Sequence, residues 1–129
     1  SRLSNAMAEK TGVSERDIQS AILEREKLGS TAVGHGVVLP HARLPGIVSP
    51  IGGFARLISP VDFDAVDEQP CDLVFMLLAS DGDGADHLRA LAKVARVMRQ
   101  SSIRNQLREA ATEQDIRDIF GASITSSAA

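Results

Sequence analysis

Three histidines and two arginines are the residues in this 129-residue chain best suited to chemistry: His35, His41, His87, Arg25 and Arg43. His41 lies in the run Gly36-Val37-Val38-Leu39-Pro40-His41-Ala42-Arg43. There a short apolar strand ends at a proline, which fixes the backbone and forbids helix. The imidazole is thereby placed at a strand end, a usual position for a reactive side chain in an α/β sheet. His87 falls in the first turn of a long helix, where free backbone N–H groups and the helix dipole favour an anion. Arg25 ends an earlier helix and Arg43 sits two residues past His41, so positive charge is available from two directions. Histidine, arginine and a helix N-terminus together suggest a site for a phosphoryl group or another anion. The same residues also admit a plainer reading, a hydrogen-bonded loop histidine among solvated arginines.

Other constellations fit less well. Gly29 to Gly36 imitates the opening of a phosphate-binding loop but puts His35-Gly36 where lysine and a hydroxyl residue belong, which rejects a nucleotide P-loop. The histidines lack i,i+4 helical spacing and a Cys-x-x-Cys partner, which argues against a metal site. Cys71 stands beside Pro70 at the mouth of an apolar strand and reads as a core cysteine rather than a nucleophile. Asp81, Asp83 and Asp86 lack the terminal glutamate of a calcium loop and read as a solvated turn.

The elements that must position these residues follow from periodicity and breakers. Ser1 to Lys10 has the pattern of a helix, broken at Thr11-Gly12. Ser14 with Asp17 forms a capping pair for a second helix carrying Ile18, Ala21, Ile22 and Leu28, and Gly29 supplies its exit. Residues 29–50 are punctuated by glycine and proline and predict a surface loop with two strand-like pieces, Thr31–Val33 and Val37–Leu39. Ile51 to Ile58 predicts a strand, followed by a turn region around Pro60. Leu73 to Ala79 is continuously apolar and predicts a central strand. A polar loop opens a helix over Asp86–Arg99, with Leu88, Leu91, Ala92, Ala95 and Met98 on its buried face. Another helix begins at Ser101 or Ser102, and Thr112 with Asp115 caps a last one. This order predicts an α/β fold with a small mixed parallel/antiparallel sheet flanked by helices, one domain over 1–120 and a flexible tail over 121–129.

Composition narrows the function classes. Fourteen basic against seventeen acidic residues leave a net charge of −3, and with four Phe, no Trp and no Tyr this argues against nucleic-acid binding. Hydrophobic content of 43% with 24% charged residues is that of an ordinary globular chain. The apolar run Leu73–Ala79 is far short of the ~18–20 residues that cross a bilayer, so no membrane insertion is expected. A single cysteine excludes an intrachain disulfide and fits the cytoplasm.

Several segments in order carry a family likeness: Arg25-Glu26-Lys27-Leu28-Gly29-Ser30-Thr31, Gly34 to Arg43, Pro60-Val61-Asp62-Phe63 with Asp67-Glu68-Gln69-Pro70, Asp72 to Leu78, and His87-Leu88-Arg89-Ala90-Leu91-Ala92. Together they resemble the fructose/mannitol-type enzyme IIA domains of the bacterial phosphotransferase system, most of all the nitrogen-related branch. The resemblance implies that His41 accepts a phosphoryl group, with His87 and Arg25 in the same site. It implies a donor in the phosphohistidine of a small carrier, HPr or its relative NPr. It also implies a strand and most of a helix ahead of Ser1, and gives His35 no catalytic role.

The implied reaction is reversible transfer between histidines, with neutral imidazole as nucleophile and no cofactor. One ring nitrogen of His41 is expected to donate to a backbone carbonyl, leaving the other free to attack. With no carboxylate cluster beside His41 in the sequence, no Mg²⁺ is expected. An apolar rim of Val37, Leu39, Leu44 and Ile47 is expected to dock the carrier. Two roles stay open: a regulatory phosphocarrier acting on a target protein, favoured by a chain without an attached enzyme IIB, or a sugar-specific component passing phosphate to enzyme IIB. A degenerate binder is a third, against which the joint presence of His41, His87 and Arg25 argues.

Overall fold

The computed structural model describes residues 2–82 and 84–128. They form five helices and a mixed sheet in two compact units, Ser1–Ala90 and Leu91–Ala129.

The first unit opens with α1 (Arg2–Thr11) and α2 (Glu15–Lys27). Ser14 caps α2 as expected, its hydroxyl accepting from the Asp17 amide at 3.1 Å. Four strands and a turn later comes β5 (Cys71–Ser80), the predicted central strand. Along one edge it pairs antiparallel with β4 (Ile51–Val61), placing Phe54 opposite Phe75. Along the other it pairs parallel with β2 (Val37–Val38) and then β3 (His41–Leu44). The register is the same on both sides of Pro40: Val38 faces Val74 and His41 faces Leu77. Pro40 lacks an N–H, but its carbonyl still accepts from the Leu77 amide at 2.9 Å, so the edge carries on across the gap. β1 (Ala32–Gly34) completes the sheet against β2.

Residues 29–50 are therefore not the surface loop expected from their breakers. Val37, Val38, Leu39, Ala42, Leu44 and Ile47 are all buried. The breakers sit between short strand pieces, and pairing to β5 restores what each piece is too short to hold alone. Ala42, Leu44 and Ile47 pack with Met76 and Leu78 of β5 against Met7 of α1 and Ile18 of α2, the core of the unit. Gly53 lets α1 lie close on β4: a Cβ there would stand 2.8 Å from the Met7 sulfur and 2.9 Å from a Leu3 methyl.

β4 runs three residues past the expected end, through Pro60. Its register to β5 lapses between Arg56 and Val61, so the missing proline N–H falls in an irregular stretch rather than a regular ladder. At the β1–β2 turn His35 adopts φ +58°, and Asp67 holds it by accepting the His35 amide at 2.9 Å and the Gln69 amide at 3.1 Å. These bonds, that to His35 first, keep the Asp67 carboxyl below its ordinary pKa.

α3 (Gly84–Met98) starts two residues ahead of the expected helix, and its faces are rotated from expectation. Leu88 and Ala92 are exposed and His87 and Val97 are buried, while Met98 is buried as expected. In the second unit, α4 (Ser101–Glu109) buries Ile103 and Leu107. Buried Arg104 donates to the Met98 and Arg99 carbonyls at 3.1 and 2.6 Å, satisfying the end of α3. Thr112 and Asp115 cap α5 (Glu113–Ala128) reciprocally, as expected. The helix continues through Gly121 to Ala128, across most of the segment expected as a tail.

Candidate functional site

Site geometry begins with Pro40. Successive carbonyls of a strand point to opposite edges, and that of Pro40 is taken by β5. The Leu39 carbonyl thus faces the other way, where it meets His41 Nδ1 at 2.8 Å. A carbonyl can only accept, so Nδ1 carries the proton and Nε2 keeps an unprotonated lone pair. This is the backbone contact expected for His41. The residue opens β3 instead of ending β2, which gives the ring a strand on both sides of its anchor.

Strand alternation sends Ala42 and Leu44 into the core and turns His41 and Arg43 the other way. There lies an open cavity of about 720 Å³, lined by His41, Arg43, His87, Leu88 and, from α2, Arg25 and Leu28. All three predicted site residues, His41, His87 and Arg25, meet in it. His35 does not line it.

The His87 ring comes from the first turn of α3 and stands 5.4 Å from that of His41, centre to centre. His87 is 8% exposed and its Nδ1 has no hydrogen-bond partner among the described residues. Burial pushes its pKa below the ordinary histidine value, and the nearby His41 and Arg43 push the same way. His87 is therefore neutral at neutral pH.

Arg25 is aimed by the segment that follows it. Its Nη1 donates to the Gly29 carbonyl at 2.9 Å, across the end of α2. The Glu26 carboxylate accepts the Thr31 hydroxyl, and the Ser30 hydroxyl donates to the Phe63 carbonyl. The run Arg25 to Thr31 is thus a clamp on the α2–β1 connection, which fixes where the guanidinium emerges.

One expectation is corrected. The apolar rim is not Val37, Leu39, Leu44 and Ile47, all of which are buried. Exposed apolar surface at the cavity is supplied by Leu28, 84% exposed, and Leu88, 65% exposed. Glu24 and Asp81 also line the cavity, brought there by α2 and the loop after β5. Among the described residues no group of three or more His, Cys, Asp or Glu side chains is placed to hold a metal ion. Arg43, which the resemblance did not assign to the site, lines it as well, and its place two residues after His41 on one strand is the signal that marks it.

The family described as phosphoenolpyruvate-dependent sugar phosphotransferase system, EIIA 2, matches residues 1–122. The chain belongs to that family. Within it, a nitrogen regulatory protein of Bradyrhizobium diazoefficiens is 50% identical over 113 residues, which cover 88% of this chain and 74% of the relative. A fructose-specific EIIA component of Haloferax volcanii is 38% identical over 109 residues, 84% of this chain and 71% of the relative. The crystal structure of nitrogen regulatory protein IIA-Ntr from Neisseria meningitidis superposes with a TM-score of 0.84 at 36% identity, covering 90% of this chain and 80% of that one.

Proposed function

We propose that the chain is a cytoplasmic phosphocarrier that accepts a phosphoryl group on Nε2 of His41 from the phosphohistidine of an HPr- or NPr-type carrier, in a nitrogen-regulatory role. The observation that carries the reading is the Nδ1 contact to Leu39, which leaves Nε2 as the nucleophile at a cavity shared with His87 and Arg25. The Nε2 lone pair attacks phosphorus while the donor N–P bond breaks and its electron pair returns to the donor ring. The Nδ1 proton stays where it is. His87 and Arg25 face the phosphoryl oxygens, whose charge spreads in a loose transition state. The chemistry of these residues asks for no cofactor.

Leu28 and Leu88 are the apolar contacts offered to the carrier. The match over residues 1–122 supports treating 1–120 as one enzyme IIA domain. The 50% identity with a nitrogen regulatory protein supports the regulatory role, whose output would be binding to a target protein. The sugar-specific role, passing phosphate to enzyme IIB, is favoured by the 38% identity with a fructose-specific component.

The test is transfer from ³²P-labelled HPr- and NPr-type carriers. Wild type should take label in acid-labile form and His41→Ala none; undiminished labelling of His41→Ala would end the assignment. Adding a fructose-type enzyme IIB then separates the roles, since only the sugar-specific one passes the label on.

A further inference from the structure

We infer that Arg43 binds the phosphoryl group at His41, as the mobile partner of a fixed Arg25. The inference rests on the phosphocarrier reading and assigns that site a further residue. His41 and Arg43 are two apart on β3, so both side chains leave the same face of the strand, and both line the cavity. The two arginines there differ in freedom. Arg25 is tied through Nη1 to the Gly29 carbonyl, whereas Arg43 has no hydrogen-bond or ion-pair partner among the described residues.

Arg43 nonetheless lies in a defined place. A Cβ on Gly84 would stand 3.2 Å from Arg43 Nη1, so the guanidinium rests against the bare backbone of the first residue of α3. The same turn carries His87, whose buried Nδ1 has no partner. The charge of Arg43 also reaches that ring, contributing to its lowered pKa.

A division of labour follows. During transfer the P–N bond to the donor ring breaks as the bond to His41 Nε2 forms, and the phosphoryl oxygens shift from one ring toward the other. A guanidinium fastened to a helix end marks the final position. One on an exposed, unpartnered side chain can follow the group across, donating two N–H bonds to its oxygens.

The experiment uses the full chain with ³²P-labelled HPr- and NPr-type carriers and the variants Arg43→Ala, Arg43→Lys and Arg43→Gln. Label uptake by Arg43→Ala should fall at least about tenfold, with Arg43→Lys recovering more than Arg43→Gln. Melting temperature should stay put, since Arg43 is exposed. In phosphorylated protein the ³¹P resonance should titrate at higher pH in Arg43→Ala than in wild type, because a cation on the phosphoryl group is gone. A role confined to docking the carrier would leave that titration unmoved. Wild-type uptake by Arg43→Ala, an unmoved ³¹P titration, or equal rates for Arg43→Lys and Arg43→Gln would each overturn the inference while labelling of His41 still stood. A wild-type chain that takes no label from either carrier overturns both readings.

Discussion

The rings of His41 and His87 stand 5.4 Å apart with their planes inclined by 38°, one carried by a strand edge and the other by the first turn of a helix. The first is held by a carbonyl and partly buried; the second is buried with a nitrogen that has no partner among the described residues. Two imidazoles this close favour having at most one of them charged. Burial decides that His87 resists protonation.

The pH dependence of His87 follows with a definite sign. Its folded pKa is depressed, so between that value and the ordinary ~6.5 the unfolded chain binds more protons. Stability should therefore decline as pH drops through about 6.5 and level off below the folded pKa. NMR titration should place His87 below the ordinary midpoint. Urea unfolding across pH 5–8 should show this decline in wild type and a shallower one in His87→Gln.

Leu28→Asp and Leu88→Asp should impair use of the phosphorylated carrier. Both side chains are exposed at the cavity, so neither change should unfold the protein. The carrier concentration for half-maximal labelling should rise about tenfold or more if these are central contacts. A control change at Val66, also exposed but absent from the cavity lining, should leave it unchanged.

Gly52→Ala should destabilise the sheet. The new Cβ would stand 2.5 Å from Phe75 Cε1 on the neighbouring strand, so the ring or the backbone must shift. Overpacking of this kind costs about 1–3 kcal/mol, readable as a lower urea midpoint.

Thr31→Val should loosen the clamp behind Arg25. It keeps the shape of a buried side chain but removes the hydroxyl that donates to Glu26. Leaving the carboxylate without that partner should cost about 1–3 kcal/mol. Labelling of His41 should also slow, because the loop from Glu26 to Thr31 sets the exit of the Arg25 guanidinium. Normal labelling at unchanged stability would show that the clamp does not aim the site.

What could be read from the residues were patterns whose cause is local. The Ser14 cap, the Thr112–Asp115 cap and the apolar run of β5 depend on near neighbours, and each stands where its pattern put it. The histidines and Arg25 were legible as a set because their flanking motifs travel together. The His41 anchor was legible in kind, since a nucleophilic imidazole needs its other nitrogen held.

What the tertiary structure alone decided concerns pairing and burial over distance. Residues 29–50 look like a loop when read singly, because no piece between breakers is long enough to be a strand; β5 supplies the partner that makes them core. The same pairing buried the expected docking rim and left Leu28 and Leu88 in its place. Helical spacing gave the period of α3 but not its rotation, since which face turns inward depends on what packs there. Glu24, Asp81 and Arg43 reach the cavity from a helix, a loop and a strand that only the folded sheet brings together. Local chemistry is written in adjacent residues, whereas the surroundings of a side chain are set by whichever distant segments close around it.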